Sequence, residues 1–133
     1  MATAPLLETA RLRLVPFSER HLTERYVSWL NNTDVVRYSE QRHKYHTIES
    51  CREFWLSFDQ TTHYYWAIEE IKTSRHIGNI DAHIDLPNKV ADIAIIIGEK
   101  KTWGQGYGGE AWVSVLDHLL GAARMRKVTA GTM

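Results

Sequence analysis

Residues 90–111 restrict more than any other stretch what this chain can fold into. Val90-Ala91-Asp92-Ile93-Ala94-Ile95-Ile96-Ile97 is an almost unbroken apolar run, the pattern of a strand buried on both faces. Trp103-Gly104-Gln105-Gly106-Tyr107-Gly108-Gly109-Glu110-Ala111 follows it. Then Trp112, Val115, Leu116, Leu119, Leu120 and Ala123 recur at the spacing of one helical stripe. A strand, a glycine-dense turn and a helix start, in that order, let backbone N–H groups face a phosphate. Glycines remove side chains that would hold a ligand off, and the first helical turn supplies unpaired donors and the positive dipole end. The plainer reading is a connection that lets a helix pack close to a sheet. Glycines at 104, 106, 108 and 109 between these two elements favour the phosphate cradle.

Of two familiar cradles, one is excluded and the other, a dinucleotide-binding turn, is a weak reading. No Gly-Lys-Ser/Thr follows the turn, so it is not a P-loop. Gly104, Gly106 and Gly109 satisfy the dinucleotide spacing G-x-G-x-x-G. The next strand candidate, Lys127-Val128-Thr129-Ala130, nevertheless carries no acid for a ribose.

The rest of the chain predicts a mixed α/β domain in the order β-α-α-β-β-β-α-β. Arg11 to Val15 alternates as a strand closed by Pro16, and Ser18 is placed to cap a helix carrying Leu22, Tyr26, Trp29 and Leu30. Thr47 caps a second helix, in which Cys51, Phe54, Trp55 and Phe58 share one face, so Cys51 reads as a small core residue rather than a nucleophile. Strands follow near Tyr64 to Glu70, Ile77 to Ile84 and Val90 to Ile97. A chain of 133 residues suits one domain, residues 1–133. Zero formal net charge and the lack of a basic run argue against nucleic acid as a partner. No apolar stretch is long enough to span a bilayer, which argues against a membrane partner, and a single cysteine fits a reducing, cytoplasmic setting.

The turn also resembles that of the GNAT superfamily of N-acetyltransferases, in the branch that acetylates ribosomal-protein N-termini, where W-G-x-G-Y-[AG]-[TG]-E-A is typical. Trp103 to Ala111 matches it, after a strand ending in Ile96-Ile97-Gly98-Glu99. Leu7 to Leu14 is similar to the branch's opening strand, L-E-T-x-R-L-x-L, and His76-Ile77-Gly78-Asn79-Ile80 to its I-G-x-I strand. The wider superfamily signature Q/R-x-x-G-x-G/A maps onto Trp103 through Gly108, with Trp at the first position as is usual in this branch.

The resemblance implies a mostly antiparallel central sheet flanked by helices, and acetyl-CoA as co-substrate without a metal. The amine would attack directly in a ternary complex. Backbone N–H groups from Gln105 to Gly109 would hold the CoA pyrophosphate, with Trp103, Gly104, Gly106, Tyr107 and Gly108 completing the turn. The strand edge at Ile96, Ile97 and Gly98 would serve the thioester oxygen and the pantetheine arm. Family members continue past the strand near Val128 with an asparagine-bearing segment, a helix and a final strand, so a domain incomplete at its C-terminus is expected here. The tyrosine that protonates the thiolate in many members would lie on that helix.

For the proton acceptor the residues leave choices. Asp92 interrupts an apolar strand, where a carboxylate is costly unless paired or functional; it is the candidate general base or substrate anchor, or else a solvated strand-end residue. Asn79, Asp81, His83 and Asp85 share one strand face by the period of two. Asp81 and His83 are the candidate acceptor-binding residues on it, with solvated exterior as the alternative and a metal site the weakest reading. Glu99 and Glu110 read as a loop carboxylate and a dipole partner. Arg42, His43, Lys44 and His46 form a small basic cluster beside the expected acceptor site. Acceptors implied are small-molecule amines, amino sugars or protein N-termini. The alternative function is a catalytically incomplete CoA-binding fragment completed by dimerisation, through pairing of an exposed last strand.

Overall fold

A computed structural model describes residues 4–36, 44–58 and 61–130. Its strands are β1 (Leu7–Glu8), β2 (Leu12–Pro16), β3 (Tyr64–Glu70), β4 (Arg75–Asp85), β5 (Val90–Ile97) and β6 (Lys127–Ala130). Its helices are α1 (Glu24–Leu30), α2 (Ile48–Leu56) and α3 (Tyr107–Leu120). The strands form one sheet in chain order, antiparallel throughout except for the parallel last pair, β5 and β6. The expected mixed, mostly antiparallel sheet is therefore present.

The opening segment departs from a single strand. Thr9 accepts from the Leu12 N–H at 3.0 Å and its own N–H donates to Leu12 O at 2.9 Å, closing a tight turn. Leu7–Glu8 folds back on β2 as a sixth strand. The Ser18 expectation is also corrected. Ser18 precedes a 3-10 turn, Glu19–His21, and the cap of α1 is Thr23, whose hydroxyl accepts from the Tyr26 N–H. Thr47 caps α2 as expected, accepting from Ser50 N–H at 3.1 Å.

Alternation along the strands divides the apolar residues between two cores. On one face Trp66, Ile68, Ile80, Ala82 and Ile93 pack with α3; on the other Tyr65 and Ala67 pack with α1, Cys51 and Phe58. The buried line of α3 is Tyr107, Ala111, Val115 and Leu119, rotated from the predicted stripe, and Leu120 is exposed. A register shift between Ile68 and Glu69 leaves Ile77 as an extra residue in β4. The bulge turns Ile77 to one core and His76 to the other.

His76 is therefore enclosed, with the rings of Trp29 and His21 at 4.9 Å and Nε2 donating to Asn79 Oδ1 at 2.8 Å. Burial, above all, holds its pKa down to about 4, against 6.5 when solvated. Between these values the unfolded chain binds a proton that the native state refuses, so stability falls as the pH falls through that interval. The expected loss is roughly 3 kcal/mol by pH 4. His76→Gln should flatten this part of the slope in urea unfolding at pH 7 and 4.5; an unchanged slope would assign the acid sensitivity elsewhere. Buried His21 adds to it in the same direction, its pKa lowered by burial against the pull of Glu69.

Candidate functional site: a strand edge beside a glycine turn

The parallel pairing of β6 with β5 covers only Val90 to Ile93. Ala94 to Ile97 run on past the last described residue of β6 and have no strand partner on that side among the described residues. Antiparallel ladders alternate the direction of backbone groups. Gly98 N–H donates to Ile77 O at 2.8 Å, so Gly98 and Ile96 face β4. The backbone groups of Ile95 and Ile97 face away from β4, toward the side of β6. This divides the expected donor edge: the Ile97 N–H is available there, those of Ile96 and Gly98 are committed to β4, and Ile95 joins the edge. The one-residue difference was readable only once the pairing register was known.

The bulge carbonyl of Ile77 accepts from both Gly98 and Glu99, which ends β5. A Cβ on Gly78 would lie 2.4 Å from Ile96 O, so the Ile-Gly pair of β4 is required by the close approach of the two strands.

A 3-10 turn, Lys100–Thr102, leads from β5 into the glycine segment. Gly104 and Gly106 have φ of 83° and 81°, conformations that other residues adopt only with strain. Gly106 is the N-cap of α3, and the first intrahelical bond runs from Glu110 N–H to Gly106 O at 3.0 Å. The N–H groups of Tyr107, Gly108 and Gly109 precede it and have no intrahelical acceptor. Side chains added at Gly104 or Gly109 would meet nothing within 4 Å, so the turn faces open space. Free amides, a dipole end and that space fit a diphosphate.

The side chains around the turn brace it. Tyr107 is buried, its hydroxyl donating to Glu70 Oε2 at 2.5 Å, which raises the tyrosine pKa and lowers that of Glu70. The Arg11 guanidinium lies 4.4 Å from the centre of its ring. Glu110 accepts from the Thr9 hydroxyl, from Arg11 N–H at 3.0 Å and from Arg11 Nε at 2.8 Å. Burial works to raise the Glu110 pKa, and these bonds prevail and lower it. Trp103 donates from Nε1 to Ile97 O at 2.9 Å, joining the turn to the strand edge. Gln105 Nε2 donates to Lys101 O at 3.2 Å.

The expected acceptor face of β4 grades from core to surface. Asn79 is buried on His76, Asp81 is largely shielded, and His83 and Asp85 are exposed. Asp81 Oδ1 has no hydrogen bond, although His83 Nε2 lies 3.3 Å away at ion-pair distance. Burial raises the Asp81 pKa, opposed by His83; the Asp81 contact raises that of His83. Asp92 stands opposite His83 across the strands and accepts from the Thr129 hydroxyl. The ring of His63, not singled out from the sequence, lies tilted against that of His83 with centres 4.7 Å apart. Only the fold reveals it, since it belongs to the segment entering β3. Glu99 is gripped by Arg25 at 3.2 Å and Arg75 at 2.9 Å, a loop carboxylate in an ion-pair network. Of the basic cluster, Arg42 and His43 lie outside the described residues, Lys44 is exposed and His46 is buried. Among the described residues no group of three or more His, Cys, Asp or Glu could hold a metal, and no helix is long and apolar enough to cross a membrane.

Solved structures share this architecture. A GNAT-family acetyltransferase from Bacillus anthracis superposes with a TM-score of 0.79 at 18% identity, covering 95% of this chain and 72% of the other. Spermidine N-acetyltransferase from Vibrio cholerae, solved with CoA and spermine, gives 0.78 at 17% identity, with coverages of 92% and 71%. A structure assigned as a ribosomal-protein-serine acetyltransferase from Vibrio cholerae gives 0.66 at 18% identity, with coverages of 98% and 75%. The fold is thus that of acetyltransferases. Residues 11–133 match the model of the acetyltransferase (GNAT) domain, and the chain belongs to that family. No curated protein matches it significantly by sequence.

Proposed function

We propose that this protein transfers an acetyl group from acetyl-CoA to a primary amine by direct attack in a ternary complex. The observation that supports the proposal is the nearness of the Ile95–Ile97 edge, without a strand partner on its β6 side among the described residues, to the amides of Tyr107 to Gly109 that have no intrahelical acceptor. One supplies donors for a thioester oxygen, the other a seat for a diphosphate. Acetyl-CoA, when bound, supplies the activated acyl carbon.

The chain's residues divide the remaining work. The turn from Trp103 to Gly109 holds the phosphates, with Gly104 and Gly106 keeping its backbone bare and Tyr107 anchoring it from beneath. Ile97 and Ile95 direct N–H groups away from β4, where one well-placed oxyanion donor lowers a barrier by roughly 2.7–4 kcal/mol. Ile96 and Gly98 support this edge from the β4 side. Asp92, Asp81 and His83 face the acceptor, Asp92 as proton acceptor or as anchor for the ammonium. A small amine, an amino sugar or a protein N-terminus suits this arrangement better than a polycation, because the formal net charge is zero. Similarity of the turn to the ribosomal-protein branch supports a protein N-terminus among these.

Calorimetry with acetyl-CoA and with NAD, followed by a thiol-release screen over amines, tests the reading. Micromolar acetyl-CoA binding, no NAD binding and release of thiol with at least one amine are expected. A folded chain that binds NAD more tightly than acetyl-CoA would reverse the assignment. Binding without thiol release would favour the alternative, a CoA-binding domain that needs a second copy. The outer edge of β6 has no strand partner among the described residues, and such an edge is suited to pairing. Sedimentation then decides, since a monomer excludes that form of completion.

A further inference from the structure

We infer that His83, oriented by Asp81, takes the proton from the attacking amine, leaving Asp92 as the anchor. The inference rests on the acetyl-transfer reading and resolves the choice left open for Asp92. Register places the group: Asp81 is opposite Ala94 and His83 opposite Asp92, and the described pairing of β6 with β5 reaches Ile93. The pair therefore stands where the described β5–β6 pairing ends, with Asp81 about 10 Å and His83 about 17 Å along β5 from the level of Ile97. An acyl arm entering from the glycine turn points toward this end.

Asp81 Oδ1 is shielded from solvent and lacks a hydrogen bond. Such an oxygen is costly to leave unmatched. His83 Nε2 lies 3.3 Å from it, at ion-pair distance. With Nε2–H committed to Asp81, the lone pair of His83 sits on Nδ1, which has no partner among the described residues. The ring is steadied by His63 at 4.7 Å and Phe58 at 5.5 Å. His63 cannot fill the same role. Its Nδ1 accepts the Ile84 N–H at 2.8 Å, so its own proton occupies Nε2. Asp92 is exposed, and one of its oxygens already accepts from Thr129.

As the amine lone pair forms the C–N bond to the acetyl carbon, the C–S bond breaks and sulfur leaves with its electron pair. The surplus N–H proton passes to His83 Nδ1 and from there to solvent. The charges facing His83 are Asp81 on its own strand, Asp92 on β5 and His63 on the segment before β3. Asp81 first, and Asp92 more weakly, raise the His83 pKa against the effect of burial. Burial keeps His63 neutral to lower pH. The base form of His83 thus appears as pH rises through a raised pKa, and removing the Asp81 charge moves that step to lower pH.

The test combines the pH profile of thiol release with NMR titration of the His83 ring. His83→Ala should lower kcat/KM about 100-fold, leave acetyl-CoA affinity unchanged, and regain activity with added imidazole. Asp81→Asn should move the acid limb and the His83 titration together to lower pH. Asp92→Asn should raise KM for the amine more than it lowers kcat. Full activity in His83→Ala, or a His83 titration unmoved by Asp81→Asn, would overturn the inference while leaving acetyl transfer intact. A wild-type chain that releases thiol with no amine would instead remove the reading beneath it.

Discussion

Gly98→Ala should lower stability by about 3 kcal/mol, the upper end of the usual overpacking range. The cause is spatial rather than conformational. A Cβ at this position would lie 1.9, 2.2 and 2.5 Å from Cδ2, Cγ and Cε2 of Trp29. Trp29 has no room to retreat, being 5% exposed and enclosed by His76 and Tyr26. The backbone of Gly98 would have to move instead, and its N–H closes β5 onto Ile77. Thermal unfolding should register a drop of roughly 10 °C, and weaker acetyl-CoA binding should accompany it because the donor edge ends here. A melting point within about 2 °C of wild type would mean that the indole does not sit over the strand end.

Gly106→Glu should weaken acetyl-CoA binding at least 100-fold, about 2.7 kcal/mol. Two effects act together. A residue with a Cβ is strained at φ of 81°, by about 1–2 kcal/mol, and a carboxylate at the N-cap competes for the amides and repels the diphosphate. Gly106→Asn separates them, because asparagine tolerates left-handed backbone and adds no charge. Calorimetry should find Gly106→Asn close to wild type and Gly106→Glu without measurable binding. Equal affinity in all three proteins would move the phosphate site away from this turn.

The sequence made the order of elements, the extents of β3 and β5 and the glycine turn legible, because each rests on local periodicity or on glycine itself. Cys51 likewise reads as core from its helical spacing, and it is buried. What escaped depends on pairing between distant segments. Ile96 and Ile97 look alike in an apolar run, yet antiparallel register sends one backbone toward β4 and the other away from it. The bulge at Ile77 is invisible to a period of two, and so is the enclosure of His76 that it causes. Ser18 and Thr23 are equally good caps by chemistry, and only the 3-10 turn between them decides which one starts α1. The rotated face of α3 follows from Tyr107, whose polar tip concealed that it opens the buried line.

The clasp of Thr9 and Arg11 on Glu110 joins groups 101 and 99 positions apart in the chain. Contacts of such long range form late, after the chain has closed its largest loops. During synthesis, Thr9 and Arg11 must wait for 101 and 99 further positions before Glu110 exists to lock the start of α3. The glycine turn thus becomes rigid only after this long-range closure, and acetyl-CoA present in the refolding solution should trap the finished state rather than hasten its formation.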